Sequence, residues 1–130
     1  MHRLSEHIVH LKRGNIFELE GKLFFVFGGC KSSGKWKQLG LWYPQEEATE
    51  GEIALAYRNL QKVGNNVDYI FTHKYKLRAE DVFDKSDPFE ALCNYIDESV
   101  QFTHWYAGHW HITHAMDSRH TIVFDEPYIL

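Results

Sequence analysis

The stretch "TEGEIALAYRNLQKVGNNVDYIFTH" (residues 49–73) predicts a helix followed by a buried strand. Thr49 can cap the helix and Glu52 stands three residues later, the arrangement of a capping box. An apolar stripe then runs along one helical face until Gly64 supplies a left-handed stop. "VDYIFTH" (67–73) is mostly apolar and ends in His73. That pattern is typical of a buried strand that delivers a polar residue at its carboxyl end.

The chain before this helix predicts three short strands and a loop. Residues 7–12, 15–20 and 22–27 are apolar-rich runs separated by glycine-containing turns, a spacing that suits hairpins. Residues 28–44 contain four glycines and no sustained periodicity, so we expect a loop that links the third strand to the helix.

The chain after residue 73 predicts a second helix and three more strands. Asp87 can cap that helix, with Pro88 at its first position. Its apolar stripe includes Cys93, which we therefore place in the core. Strand-like runs follow at residues 102–107, 111–115 and 120–126, with a turn at Gly108. The resulting order, βββαβαβββ, predicts one α/β or α+β layered domain that covers residues 1–130.

Composition excludes several classes of protein. The chain is 44% hydrophobic, so it does not resemble a disordered segment, and its net charge of -4 gives no footprint for nucleic acid or an anionic membrane. No apolar run is long enough to span a bilayer, and residues 1–20 lack a signal-peptide core. Cys30 and Cys93 are too few for a disulfide scaffold, so we predict a soluble protein of the reducing cytoplasm.

A glycine-rich segment, "GGCKSSGKW" (28–36), resembles a phosphate-binding P-loop but lacks a residue that the P-loop needs to bind magnesium. From Gly29 to Lys35 the spacing matches, yet Trp36 replaces the Ser or Thr that would bind magnesium. No helical stripe follows it. A connecting loop is the preferred interpretation, and a nucleotide-binding module at Gly29–Lys35 stays as the weakest alternative.

The histidines carry the stronger signal, because "HWYAGHWHITH" (104–114) contains four imidazoles in eleven residues. Imidazole binds Zn, Fe, Ni and Mn. We expect Gly108 to permit a tight turn that aims His109 and His111 at the same point as His73. The remaining histidines are interpreted as solvated residues or as residues on wet strand faces: His2, His7, His10, His104, His114 and His120.

Three stretches in this order resemble the C-terminal half of the calcineurin-like metallophosphoesterases: "KLFFVFGGC" (22–30), residues 41–73, and "HWYAGHWH" (104–111). The resemblance covers nearly the whole chain. It implies the C-terminal half of a four-layer α-β-β-α sandwich, in which two sheets pack face to face with the helices outside.

The resemblance also implies a metal-dependent phosphoester hydrolase. The family residues that match His73 and His109 bind one divalent cation, and the residue that matches His111 binds the other. A two-metal site of this kind polarises a phosphate ester and activates a bridging water. The implied metal is Mn, Fe, Zn or Ni, and the implied ligand is a phosphoester substrate.

The acidic motifs of the family's first half are absent from this sequence. No Asp is followed two positions later by His, and no Gly is followed by Asp. Three neutral imidazoles cannot offset the repulsion between two divalent ions, so we expect at most one bound ion and no hydrolysis by the chain alone. The expected partners are a complementary N-terminal half or a second copy, which would cover an exposed sheet surface. The alternative is a non-enzymatic remnant that binds one metal through the three histidines.

Overall fold

The computed structural model describes residues 2–3, 9–29, 48–78, 80–110 and 112–124. Two helices and eight strands lie within these ranges. In chain order they are β1 (His2–Arg3), β2 (Val9–His10), β3 (Ile16–Leu19), β4 (Lys22–Phe27), α1 (Glu50–Lys62), β5 (Tyr69–Thr72), α2 (Pro88–Ser99), β6 (His104–Ala107), β7 (His114–Ala115) and β8 (His120–Ile122).

Both helices begin where their capping residues predict. The Thr49 hydroxyl accepts a hydrogen bond from the Glu52 N–H at 3.1 Å, and the Glu52 carboxylate accepts one from the Thr49 N–H at 2.9 Å. This reciprocal pair is a capping box and confirms the predicted start of α1. Asp87 accepts from the Glu90 N–H at 3.0 Å and caps α2, with Pro88 in its first turn.

The strands form a two-stranded sheet, β1-β2, and a six-stranded sheet in the order β3-β4-β5-β6-β8-β7. Strands β4, β5, β6 and β8 are parallel, whereas the edge strands β3 and β7 pair antiparallel. Because the carboxyl ends of parallel strands lie at one edge of a sheet, the segments after β5 and β6 come side by side.

The core lies between one face of the larger sheet and the two helices. Tyr57 of α1 and Tyr95 of α2 meet edge to face, with ring centroids 5.0 Å apart, so the helices are neighbours. Cys93 is 1% exposed, which confirms its predicted place in the core. The largest fully buried side chains are Phe25, Phe27, Leu60, Ile70, Leu92, Cys93, Ile96, Trp105 and Ile122.

The opposite face of the sheet carries a row of half-buried aromatic side chains. Phe24 lies over Tyr69 and Phe71, with centroid distances of 5.3 and 5.7 Å, and Phe71 stacks on Tyr106 at 5.7 Å. These residues alternate along their strands with the buried residues of the other face, as the two-residue period of a strand requires.

The mixed α/β class is confirmed, but several predicted elements differ in extent. Within the described part of the predicted strand at 111–115, β7 forms a two-residue ladder with β8, and Ile112 lies before that ladder and is 44% exposed. The last strand ends at Ile122, with residues 125–126 outside the described residues, and β1 was not predicted. Most of the predicted loop at 28–44 also lies outside them. Within the described residues, no helix is long and apolar enough to cross a membrane.

Candidate functional site

His73 lies directly beyond the carboxyl end of β5, where the parallel strands of the sheet end. Its N–H donates to the Phe27 carbonyl at 3.3 Å, and its carbonyl accepts from the Gly108 N–H at 2.8 Å. The backbone of His73 is therefore held by both neighbouring strands, while its side chain is exposed. This arrangement confirms the prediction that β5 delivers a histidine at its carboxyl end.

His109 occupies the centre of a tight turn after β6. The Trp110 N–H donates to the Gly108 carbonyl at 3.0 Å, and φ of His109 is +76°. A three-residue turn with positive φ at its central residue is rare and strained, and a side chain that is not glycine adds to the strain. Such strain occurs most often at functional sites.

The prediction that Gly108 supplies the conformational freedom for this turn is wrong. Gly108 stays in the sheet ladder through its bond to His73, so the chain turns one residue later and His109 takes the positive φ. A Cβ atom added at Gly108 would lie 3.5 Å from the His73 carbonyl oxygen, which is an ordinary contact. His109, the candidate ligand, therefore adopts the unfavourable positive φ, and Gly108 does not.

The two imidazoles meet nitrogen to nitrogen. His109 Nδ1 lies 3.3 Å from His73 Nε2, and the rings are nearly perpendicular, with centroids 5.2 Å apart. A tetrahedral ion with imidazole nitrogens at about 2.0–2.1 Å spaces two of them about 3.3–3.4 Å apart. The same distance allows a hydrogen bond between the two rings, with the donor set by the tautomers, and it also fits two ligands of a single ion.

The structure brings His73 and His109 together, and His111 lies outside the described residues. Among the residues that the structure describes, no group of three or more His, Cys, Asp or Glu side chains is arranged to hold a metal ion. The described part of the candidate site is thus a pair of imidazoles.

Trp110 connects the two segments that carry these histidines. Its Nε1–H donates to the Tyr75 carbonyl at 2.7 Å, and its ring meets the His109 ring edge to face with centroids 4.8 Å apart. Thr72 adds a second support, because its hydroxyl donates to the Lys74 carbonyl at 2.8 Å. Both hydrogen bonds thus fix the backbone of the segment that follows His73.

A second cluster surrounds His120 in the core. His120 Nε2 lies 2.8 Å from Asp97 Oδ1, and Nδ1 lies 2.8 Å from Asp117 Oδ1. The Tyr75 hydroxyl donates to the other oxygen of Asp97, and the Tyr75 ring stacks on the imidazole at 4.8 Å. Both ring nitrogens of this histidine therefore face carboxylates.

The carboxylates control the protonation of this cluster. Burial lowers the pKa of His120, but the hydrogen bonds and charges of Asp97 and Asp117 outweigh it, so the pKa is raised above its ordinary value. Burial raises the pKa of Asp117, but its bonds to His120 and to backbone N–H groups bring the pKa below its ordinary value. Burial, and then Asp97, raise the pKa of Tyr75.

The interpretation of His120 as a residue on a wet face is wrong, since only 7% of it is exposed. Part of the cluster was visible in the sequence, because Asp117 precedes His120 by three residues and accepts from the N–H groups of Arg119 and His120 at 2.8 Å. Asp97 comes from another element and gave no such signal.

The other histidines have varied environments. His104 is half-buried beside Thr121, with Nε2 2.7 Å from Oγ1, and burial lowers its pKa. His114 is exposed. His7, the side chains of His2 and His10, and residues 30–35 of the P-loop-like segment lie outside the described residues.

Comparisons of the chain with protein-family profiles, with curated proteins and with solved structures found no match. A functional assignment therefore depends on the sequence motifs and on the geometry of the site.

Proposed function

We propose that this chain is the C-terminal half of a calcineurin-like metallophosphoesterase and supplies histidine ligands to its metal centre. His73 and His109 would hold one divalent ion, and His111 would contribute to the second. The observation that carries the proposal is the 3.3 Å separation of two imidazole nitrogens from segments 36 residues apart.

Two further features support a metal-binding role for this pair. The positive φ of His109 is a local strain that surrounding structure must maintain, which favours a functional constraint at that residue. The indole of Trp110 holds the backbone of Tyr75, two residues after His73, as an outer partner of a metal site would.

The proposed architecture is one α-β half of a four-layer α-β-β-α sandwich. The helices cover one face of the six-stranded sheet, and the aromatic row of Phe24, Tyr69, Phe71 and Tyr106 lies on the other. Largely parallel sheets are normally covered on both faces. An apolar second face is thus suited to packing against another sheet.

The lack of negative charge on the proposed histidine ligands limits the metal chemistry that the chain can perform by itself. A divalent metal in such a centre polarises the phosphate ester and lowers the pKa of a bound water. Neutral imidazoles give no negative charge to offset the repulsion between two ions. The chain alone would therefore bind a single ion, and hydrolysis would require carboxylates from an N-terminal half or from a second copy.

Calorimetry with Zn²⁺ and Mn²⁺ tests the metal site directly. We expect one ion per chain, and at least tenfold weaker binding after His73→Ala or His109→Ala because each removes a ligand. His114→Ala, which removes an exposed imidazole, is the matched control. Equal affinity in all three variants would contradict the proposed site.

The His111→Ala variant distinguishes the half-enzyme from a remnant that binds one ion through three histidines. If His111 belongs to the second ion, its loss should weaken binding of the first ion much less than His109→Ala does. Equal losses would favour the single-ion remnant.

Hydrolysis of p-nitrophenyl phosphate and bis-(p-nitrophenyl)phosphate, with added Mn²⁺ or Ni²⁺, tests the need for a partner. We expect no turnover by the chain alone. Metal-dependent turnover that disappears in His109→Ala would mean that this chain or its own dimer completes the centre without an N-terminal half.

A further inference from the structure

A cavity of about 300 Å³ lies between the segment after β5 and the first turns of α2. This volume is at the lower end of the range of small-molecule sites. Its wall includes Lys74, Tyr75, Lys76, Phe83, Phe89 and Trp110.

Aromatic side chains form much of the wall. Tyr75 and Phe83 meet edge to face with centroids 5.4 Å apart, and both are buried, as is Phe89. Trp110 contributes a half-buried indole whose N–H is already bonded to the Tyr75 carbonyl. Since these rings have fixed positions, the wall can accept a flat apolar group without rearrangement.

Two lysines bring positive charge to the same cavity. Lys74 Nζ lies 5.6 Å from the centroid of the Trp110 ring, and Lys76 Nζ lies 5.0 Å from that of Phe83. Across the described part of the chain, neither ammonium forms an ion pair with a carboxylate. Both lysines can therefore turn toward an anion.

The acidic residues of the wall have partners of their own. Asp81 lies 3.6 Å from the Arg78 guanidinium and accepts from the Arg78 N–H at 3.0 Å. Glu90 accepts from the Asp84 N–H at 3.2 Å. Each carboxylate thus has a hydrogen-bond donor on the protein side, while the ammonium groups lie over aromatic rings.

The cavity borders the histidine pair. Lys74 follows His73 in the chain, and Trp110 both lines the cavity and meets the His109 ring at a centroid distance of 4.8 Å. A molecule in the cavity would share Trp110 with the candidate metal site.

We propose that this cavity binds an aromatic or heteroaromatic phosphate, with the ring against Trp110 and the anionic group between Lys74 and Lys76. Binding of such a ligand requires no metal. The assignment of the cavity as the substrate pocket of the phosphoesterase rests on the proposed function.

Calorimetry in the presence of EDTA, with phenyl phosphate as the probe, tests the binding. Cyclohexyl phosphate keeps the charge without the aromatic ring, and inorganic phosphate keeps the charge alone. We expect phenyl phosphate to bind at least about tenfold more tightly than either, because the ring stacks on fixed aromatic side chains. Equal affinities for the three compounds would overturn the aromatic part of the proposal.

Lysine variants test the charged part. Lys74→Ala and Lys76→Ala should each weaken phenyl phosphate binding by about tenfold, as expected for the loss of a charge-assisted hydrogen bond. Lys62→Ala, at the exposed end of α1, is the matched control and should bind as the unaltered chain does. Unchanged affinity in both cavity variants would overturn the proposed site.

The indole N–H signals of the nitrogen-15 NMR spectrum provide an independent readout of position. Phenyl phosphate should shift the Trp110 signal, assigned by its absence in Trp110→Phe. The Trp105 signal should move less, because that N–H is buried and bonded to Thr72 Oγ1 at 2.9 Å. Saturable binding that leaves Trp110 unaffected would place the ligand elsewhere.

The same titrations separate this proposal from the metal site. If phenyl phosphate binds in EDTA but Zn²⁺ does not bind through His109, the cavity is a ligand site and the proposed phosphoesterase function fails. If Zn²⁺ binds and phenyl phosphate does not, the cavity proposal alone fails.

Discussion

The His73–His109 pair and the His120 cluster place the same side chain in opposite environments. His120 lies within β8 on the core side of the sheet, and a carboxylate faces each of its ring nitrogens. His73 and His109 lie beyond the carboxyl ends of their strands, where one imidazole nitrogen approaches the other. The first arrangement stabilises a charge inside the fold, and the second has the nitrogen spacing that the proposed metal site requires.

The difference shows that the density of histidines in a sequence does not distinguish a structural imidazole from a candidate ligand. What distinguishes them is the chemistry of the nearest atoms and the burial of the ring. Burying an imidazolium requires negative partners. A metal ligand needs an accessible lone pair and a fixed direction.

Removal of the His120 side chain should have the largest effect on stability. His120→Ala leaves Asp97 and Asp117 without the imidazole that both contact and removes a ring that stacks on Tyr75, so the free energy of unfolding should fall by about 3 kcal/mol. Urea denaturation followed by tryptophan fluorescence measures it. His114→Ala should change it by less than about 0.5 kcal/mol. A similar small loss in both variants would show that the buried cluster adds little.

The dependence of the free energy of unfolding on pH should reveal part of the stabilisation that His120 provides. Because the folded pKa of His120 is raised, its stabilisation is fully present below the pKa of the unfolded chain and is lost as pH rises through the folded pKa. The lowered pKa of Asp117 acts in the opposite direction and removes stability only in acid, as pH falls through it. Urea denaturation midpoints, measured from acidic to basic pH for the unaltered chain and for His120→Ala, check the direction of both effects. A midpoint that rises with pH above neutrality in the unaltered chain alone would contradict the assignment.

Trp110→Phe should affect the proposed metal site more than the fold. The change keeps an aromatic ring but removes the hydrogen bond to the Tyr75 carbonyl, so unfolding should become easier by about 1 kcal/mol. Zn²⁺ affinity should fall by about tenfold, because an outer support of the ligands is lost. Tyr69→Phe, on the opposite face of the sheet, should leave Zn²⁺ affinity unchanged. Equal Zn²⁺ affinity in Trp110→Phe would mean that the indole does not position the pair.

His109→Gly and His109→Ala should separate the effect of backbone strain from that of metal ligation. Both remove the imidazole and should abolish the paired site. Glycine accepts a φ of +76° whereas alanine does not, so the glycine variant should be more stable than the alanine variant by about 1 kcal/mol. Thermal denaturation of the two proteins measures the difference. If alanine is the more stable of the two, the turn does not hold His109 at positive φ.

Local signals determined much of the fold. Thr49 with Glu52, and Asp87 with Pro88, set the starts of both helices within one turn of sequence. Capping depends on bonds between residues three positions apart, and burial of a stripe depends on the helical period, so both are visible without tertiary information. The short strands at the sheet edges were harder to place, because a two-residue ladder leaves little periodicity to detect.

The sequence by itself therefore determined the order of helices and strands from β2 onward, the core position of Cys93, and the place of His73 at the end of β5. It also predicted that His109 approaches His73. Only the tertiary structure decided that His109 itself takes the strained positive φ of the turn, and that His120 is buried between Asp97 and Asp117. The physical reason is that these contacts join residues from separate elements. Their energies depend on distances that sheet register and helix packing set, and no local pattern in the chain records those distances.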